Sequence, residues 1–136
     1  MMTKNHESKK ELNNFLIDAI SPDERWLVIF EDDGETGYLY FCSYNSDNQK
    51  YKILDHLWIY NQIKPAIQEC NFVNIVWSHD STKVCLVVDG ECWGILDIKI
   101  KRKLAAPRKE NSIKTIERIK WDNGLTRSDG DELRTI

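Results

Sequence analysis

The chain has 136 residues, a formal net charge of −3, 41% hydrophobic residues and 30% charged residues. This length fits one domain with its own core and excludes a barrel enzyme of about 250 residues. Five Trp, five Tyr and four Phe argue against disorder, because disordered chains lack apolar surface. We expect a single domain over residues 1–136, with a core over about 9–121 and loose segments at 1–8 and 125–136.

The N-terminal residues are polar and charged, without the apolar stretch that a signal peptide requires. No part of the chain approaches the roughly 18 apolar residues of a membrane-spanning helix. These patterns predict a cytoplasmic protein with no membrane contact. The four cysteines lack the close paired spacing of structural zinc sites, so we expect free thiols and no metal ligands, and the absence of Walker, G-x-G-x-x-G and H-E-x-x-H motifs predicts no cofactor. The four cysteines are Cys42, Cys70, Cys85 and Cys92.

An N-terminal helix is predicted over residues 9–20, where apolar side chains recur at the spacing of a one-faced helix. Ser21-Pro22 ends it, because the residue before a proline avoids helical dihedral angles. From Arg25 the apolar period changes to two, which is typical of strands. The predicted strands cover residues 25–30, 38–43, 51–60, 72–77, 83–88 and 91–100.

Several connections have their own signals. Asp89-Gly90 predicts a hairpin turn, since a type I′ turn needs positive φ at both positions. Residues 66–70 fit a helical turn or a loop. In the last strand Asp97 is expected to face solvent with the neighbouring lysines. Residues 112–121 fit a short helix, or a strand over 116–121.

Together these elements predict an α+β fold that is mainly β. It consists of an antiparallel sheet of about six strands with an N-terminal helix and a short C-terminal helix.

An acidic loop between the first two predicted strands is the most distinctive feature. It carries Glu31, Asp32, Asp33 and Glu35 within five positions. Crowded carboxylates repel one another, and a cation or a basic partner would relieve that repulsion. The spacing does not match a helix-loop-helix calcium site. A solvated hairpin loop, a contact with a protein or ligand, and a metal site remain the three alternatives.

A second candidate site lies on the third predicted strand, where strict alternation places His56, Trp58 and Tyr60 on one side. If this aromatic side is exposed it is a contact surface, since Trp and Tyr commonly anchor interfaces. If it is covered it is core. The Trp77-Ser78-His79-Asp80 segment is similar to a propeller-blade hairpin. We assign no catalytic residue, because no nucleophile accompanies the His79-Asp80 pair.

The chain resembles a family of small uncharacterised bacterial domains of unknown function. The resemblance rests on three segments and spans about residues 25–100. The segments are Phe30–Tyr38 (FEDDGETGY), Ile53–Asn61 and the Trp77-Ser78 hairpin. The resemblance implies no catalytic residue, since the family has no established activity.

Charge is distributed unevenly. Residues 99–120 contain nine Lys or Arg and two Glu, a net charge of +7 that leaves −10 for the remainder. A solvated face is the simplest interpretation, and nucleic-acid binding is disfavoured because no nucleic-acid motif is present. The segment would also suit the acidic loop of a second copy, which predicts a homo-oligomer as a further hypothesis.

These observations favour a non-catalytic module that binds another protein, with immunity proteins that neutralise toxins as one class. The alternative is a domain that binds a small molecule or a metal ion through the acidic loop, His56 and His79. A hydrolytic enzyme is one form of this alternative.

Overall fold

The computed structural model describes residues 14–106, 108–109, 112–113 and 115–134. Two antiparallel sheets contain nearly all the regular structure. The first sheet has the order β1-β2-β3-β4, with β1 (Phe15–Ile20), β2 (Trp26–Asp32), β3 (Thr36–Asn45) and β4 (Lys50–Asn61).

The second sheet has the order β11-β8-β7-β6-β5. Its strands are β5 (Val73–Trp77), β6 (Lys83–Val88), β7 (Glu91–Asp97), β8 (Arg102–Ala105) and β11 (Asp131–Glu132). A two-stranded ribbon of β9 (Arg108–Lys109) and β10 (Ser112–Ile113) precedes the helix α1 (Arg118–Asn123). A 3-10 turn covers Ile67–Glu69. Within the described residues, no helix has the length and apolar character needed to cross a bilayer.

The two sheets pack against each other, with β1 against β5 and β4 against β7 and β8. Side chains alternate along each strand, so every second residue enters the space between the sheets. The largest members of this core come from both sheets. They are Phe30, Leu39, Phe41, Ile59 and Tyr60 from the first sheet and Val84, Leu86 and Leu96 from the second.

The predicted α+β fold is wrong, because the described chain is nearly all β and forms two sheets rather than one. The N-terminal helix is replaced from residue 15 onward by β1, which pairs with β2 from Phe15–Asp32 to Ile20–Leu27. Residues 15–20 also fit a period of two, with the odd residues half-buried and the even ones exposed. The backbone hydrogen bonds with β2 favour the strand period of two over the helical period of 3.6 for these residues. Residues 9–13 lie outside the described part.

The six predicted strands correspond to β2–β7, with differences at their ends. The segment near residue 67, for which a helical turn or a loop fits the sequence, forms a 3-10 turn, and the predicted hairpin turn is confirmed. Asp89 and Gly90 both have positive φ, 49° and 84°. The Ser78 hydroxyl donates to Asp80, and the backbone N–H of Thr82 donates to the same carboxylate.

The last of these strands is shorter than predicted, because β7 ends at Asp97 and a turn follows. Asp97 is buried rather than solvent-facing. Its carboxylate accepts hydrogen bonds from the backbone N–H groups of Ile100 and Leu125, at 3.3 and 2.9 Å. These donors satisfy the buried carboxylate.

The C-terminal segment, residues 115–134, covers the side of the second sheet that faces away from the first sheet. Ile116 and Leu125 are buried there against Cys85 and Ile95 in a second core cluster. Residues 112–121 are neither one helix nor one strand, since α1 begins only at Arg118. Residues 125–134, for which we expected a loose tail, pack against the second sheet: Leu133 is buried and β11 pairs with β8.

A buried ion pair joins the two sheets. Lys103 on β8 lies 3.0 Å from Asp55 on β4, and both side chains are less than a tenth exposed. Lys103 also donates to the backbone carbonyl of His56. The second oxygen of Asp55 accepts from the backbone N–H of Arg134, which ties the C-terminal segment to the same point.

Candidate functional site

The acidic loop is held by its own carboxylates. Asp32 is buried and accepts a hydrogen bond from the Gly34 N–H at 2.6 Å. Asp33 accepts from the backbone N–H groups of Thr36 and Glu35, and these donors lower the pKa of its carboxyl. Two of the four acidic side chains therefore shape the turn between β2 and β3.

The second oxygen of Asp32 accepts a hydrogen bond from the hydroxyl of Tyr60 at 2.5 Å. Tyr60 is fully buried, and burial together with the Asp32 carboxylate raises the pKa of its hydroxyl. Its ring lies directly over Gly37, at edge-to-face distance from Phe30 and Trp93. The second glycine of the FEDDGETGY segment thus makes room for an aromatic ring.

The predicted alternation of His56, Trp58 and Tyr60 is broken by an irregularity in the strand pairing. Tyr38 pairs with Trp58 but Gly37 pairs with Tyr60, so Ile59 is an additional residue in β4. Such a bulge reverses the side to which the following residue points. His56 and Trp58 therefore face outward, whereas Tyr60 lies in the core.

Replacing Tyr60 by Phe is expected to lower the free energy of unfolding by about 2 kcal/mol, because a buried carboxylate loses a donor. Chemical denaturation measures this loss. Tyr40→Phe is the control, since the Tyr40 hydroxyl makes a longer, 3.3 Å hydrogen bond to the partly exposed Glu31. Equal losses in the two variants would contradict the structural role of the Asp32–Tyr60 pair.

The geometry does not favour a metal or hydrolytic site at the acidic loop. Among the described residues, no three His, Cys, Asp or Glu side chains are grouped to hold an ion. Asp32 points into the core, whereas His56 points away from it on the other side of the first sheet. His79 is exposed in the β5–β6 turn of the second sheet. Asp33 and Glu35 remain accessible.

The side of the first sheet that faces away from the second sheet is rich in apolar and aromatic residues. The strand pairing arranges it in three rows of opposed residues, which share one face. We call this the outer face: Leu16, Glu31, Tyr38 and Trp58; Asp18, Ile29, Tyr40 and His56; Ile20, Leu27, Cys42 and Ile53.

Four large apolar side chains of the outer face are exposed. The exposed fractions are 59% for Leu16, 44% for Ile20, 53% for Ile53 and 39% for Trp58. The sequence indicated Trp58, but the predicted helix concealed Leu16 and Ile20. Their exposure follows only from the strand conformation of β1.

Tyr38 connects the aromatic residues of the outer face. Its ring stacks on Tyr40 at 6.0 Å and meets His56 edge to face at 5.7 Å. Burial and the nearby Glu31 carboxylate raise the pKa of Tyr40 above its ordinary value. The face therefore offers aromatic surface with hydroxyl groups, a composition common in protein interfaces.

The basic segment at residues 99–120 is partly neutralised within the fold. Lys103 is buried with Asp55, and Lys120 lies 2.6 Å from Asp129. Arg118 is largely exposed and 3.6 Å from Asp122. Self-association through this segment and the acidic loop of a second copy stays a prediction, as does the disfavoured binding of nucleic acid.

Comparison with known proteins places the chain in an uncharacterised group. Residues 11–130 match a family model described as an uncharacterised protein conserved in bacteria. This match confirms the expected resemblance and extends it beyond residues 25–100. No curated protein and no solved structure matches the chain significantly.

Proposed function

Because the chain belongs to the uncharacterised bacterial family DUF2251, we propose a function from the geometry alone: a non-catalytic module that binds another protein through the outer face. The observation that carries this proposal is the exposure of Leu16, Ile20, Ile53 and Trp58 on one side of one sheet. Single exposed apolar residues are ordinary, but these four lie at the corners of one face and half-buried Ile29, Tyr38 and Tyr40 lie between them, and an apolar surface of this kind marks an interaction site.

The partner is a protein with an apolar centre and Lys or Arg side chains near one end of its interface. Glu31 and Trp58 lie in the row of the outer face nearest the acidic loop, which adds the exposed Asp33 and Glu35. Complementary charge of this kind speeds association and fixes orientation. An immunity protein bound to a toxin with a basic surface would fit, since the chain outside residues 99–120 carries −10.

Residues on the outer face are expected to contribute most of the binding energy. Trp58→Ala should weaken binding about 10-fold or more, because aromatic anchors typically contribute over 1.4 kcal/mol. The partner would be isolated from the source bacterium with the tagged protein, identified by mass spectrometry, purified and titrated calorimetrically against each variant.

A matched control lies outside this face. Phe72 precedes β5 and is 61% exposed, so Phe72→Ala removes a similar apolar area without touching the first sheet. It should leave the affinity unchanged. Glu35→Gln should slow association at low salt with little effect at high salt, since salt screens exposed charges. A partner that binds the Trp58 and Phe72 variants equally well would refute the outer face as its site.

A further inference from the structure

Two thiols meet on the side of the second sheet that the C-terminal segment covers. Cys85 on β6 is opposite Ile95 in the strand pairing, and Cys92 on β7 is opposite Val87. An irregularity in the pairing falls between Leu86 and Val87. The two cysteines are therefore diagonal neighbours on one face, close enough for their thiols to interact electrostatically, and the Cys92 thiol also donates a 3.6 Å hydrogen bond to the Gly94 carbonyl.

A groove of about 380 Å³ opens beside this thiol pair. Both cysteines line it, with Ile116, Trp121 and Arg118 on the side of the C-terminal segment. Cys85 is almost fully buried, whereas Cys92 is half-buried. A small reagent entering the groove therefore reaches Cys92 more readily, with Cys85 beside it on the same face.

The two neighbouring thiols are chemically unequal. Interaction with the Cys85 thiol stabilises a thiolate on Cys92 and lowers the pKa of Cys92, while the same interaction and burial raise the pKa of Cys85. The thiolate is the nucleophile in cysteine chemistry. Redox-active cysteines typically combine such a nucleophile with a neighbouring thiol that resolves the first product.

We propose that Cys92 and Cys85 form a thiol pair that is reversibly oxidised by hydroperoxides. The Cys92 thiolate attacks one peroxide oxygen and the O–O bond breaks; with one proton taken up, hydrogen peroxide gives a sulfenic acid on Cys92 and one water. The Cys85 thiol then attacks the Cys92 sulfur and expels a second water, which leaves a disulfide. The two thiols lose two electrons and the peroxide gains them.

The chain offers a direct readout of this disulfide. Trypsin cleaves after Lys83 and Lys99, so both cysteines lie in one peptide, residues 84–99, while Cys42 and Cys70 lie in others. The purified full chain would be treated with a small excess of hydrogen peroxide and then alkylated. We expect peptide 84–99 to lose about 2 Da and to carry no alkyl group, and dithiothreitol to reverse both changes.

Variants assign the two roles. Cys85→Ser should halt the reaction at a sulfenic acid on Cys92 that dimedone traps. Cys92→Ser should prevent the oxidation of peptide 84–99 by peroxide. Cys70→Ser is the control, because Cys70 is a half-buried thiol outside this pair, and it should behave like the unaltered protein. Full alkylation of peptide 84–99 after peroxide treatment, or oxidation of Cys70 at the same rate as Cys92, would overturn the proposal.

Discussion

Replacing Asp55 by Ala is expected to lower the free energy of unfolding by about 3–5 kcal/mol, because it leaves the Lys103 ammonium buried without its counterion. The same change removes the acceptor of the Arg134 N–H, so the C-terminal segment loses a contact to the first sheet. Guanidinium denaturation followed by tryptophan fluorescence measures the loss. Asp18→Ala is the control, since Asp18 is exposed on the outer face and should cost less than about 0.5 kcal/mol.

The reciprocal substitution separates charge burial from simple loss of contact. Lys103→Met leaves Asp55 with two backbone donors, the N–H groups of His56 and Arg134. Asp55→Ala leaves Lys103 with only the His56 carbonyl among these partners. We therefore expect Lys103→Met to be clearly less destabilising than Asp55→Ala. The reverse order would show that the lysine, not the carboxylate, controls this junction.

The same ion pair makes stability depend on pH. Burial alone would raise the pKa of Asp55, but the hydrogen bonds from Arg134 and Lys103 outweigh it, so the net pKa is lowered. A carboxyl with a lower pKa in the folded state stabilises the fold above its unfolded pKa of about 3.9. This contribution is lost as the pH falls below about 4 through the folded pKa. Asp55→Ala should flatten the corresponding part of the stability profile.

Gly37→Ala is expected to destabilise the protein by about 3 kcal/mol, the upper end of the usual range for overpacking. A Cβ at this position would lie 2.5–2.9 Å from three ring carbons of Tyr60. The ring has little freedom to move, since Asp32 holds its hydroxyl and Phe30 and Trp93 lie against it. Thermal and chemical denaturation both report the effect.

Gly94→Ala provides a matched comparison in the facing sheet. Its Cβ would lie 2.8 Å from the terminal methyl of Ile59 and 3.3–3.4 Å from methyl groups of Leu57 and Leu39, all of them ends of flexible side chains rather than a held ring. We expect a loss of only about 1 kcal/mol. In a Tyr60→Leu background, Gly37→Ala should also lose most of its effect, which a double-mutant cycle would quantify. An undiminished effect there would place the strain elsewhere.

The candidate site shows which of its features residue patterns predict and which they do not. The acidic loop, His56 and Trp58 were recognisable because charge and aromatic residues stand out in any context. Strict alternation places Tyr60 on the wrong side, because the bulge at Ile59 has no distinct residue signature. The residue pattern makes Asp32 part of a solvated loop or a binding site, yet it is a buried acceptor for a tyrosine 28 residues away. Contacts of that range are not encoded in local spacing.

Local sequence alone determined β2–β7 and their hairpins, because period-two alternation and Asp-Gly turn chemistry act over a few residues. The tertiary structure decided the rest. Residues 15–20 became a strand since β2 supplied backbone partners along one edge. The strands separated into two sheets that share a core, and residues 115–134 gained burial by covering the second sheet, at Ile116 and Leu125, and by adding Leu133 to the core between the sheets. Each outcome depends on surfaces that exist only after the strands have paired, so the exposed outer face and the thiol pair became visible only in the folded chain.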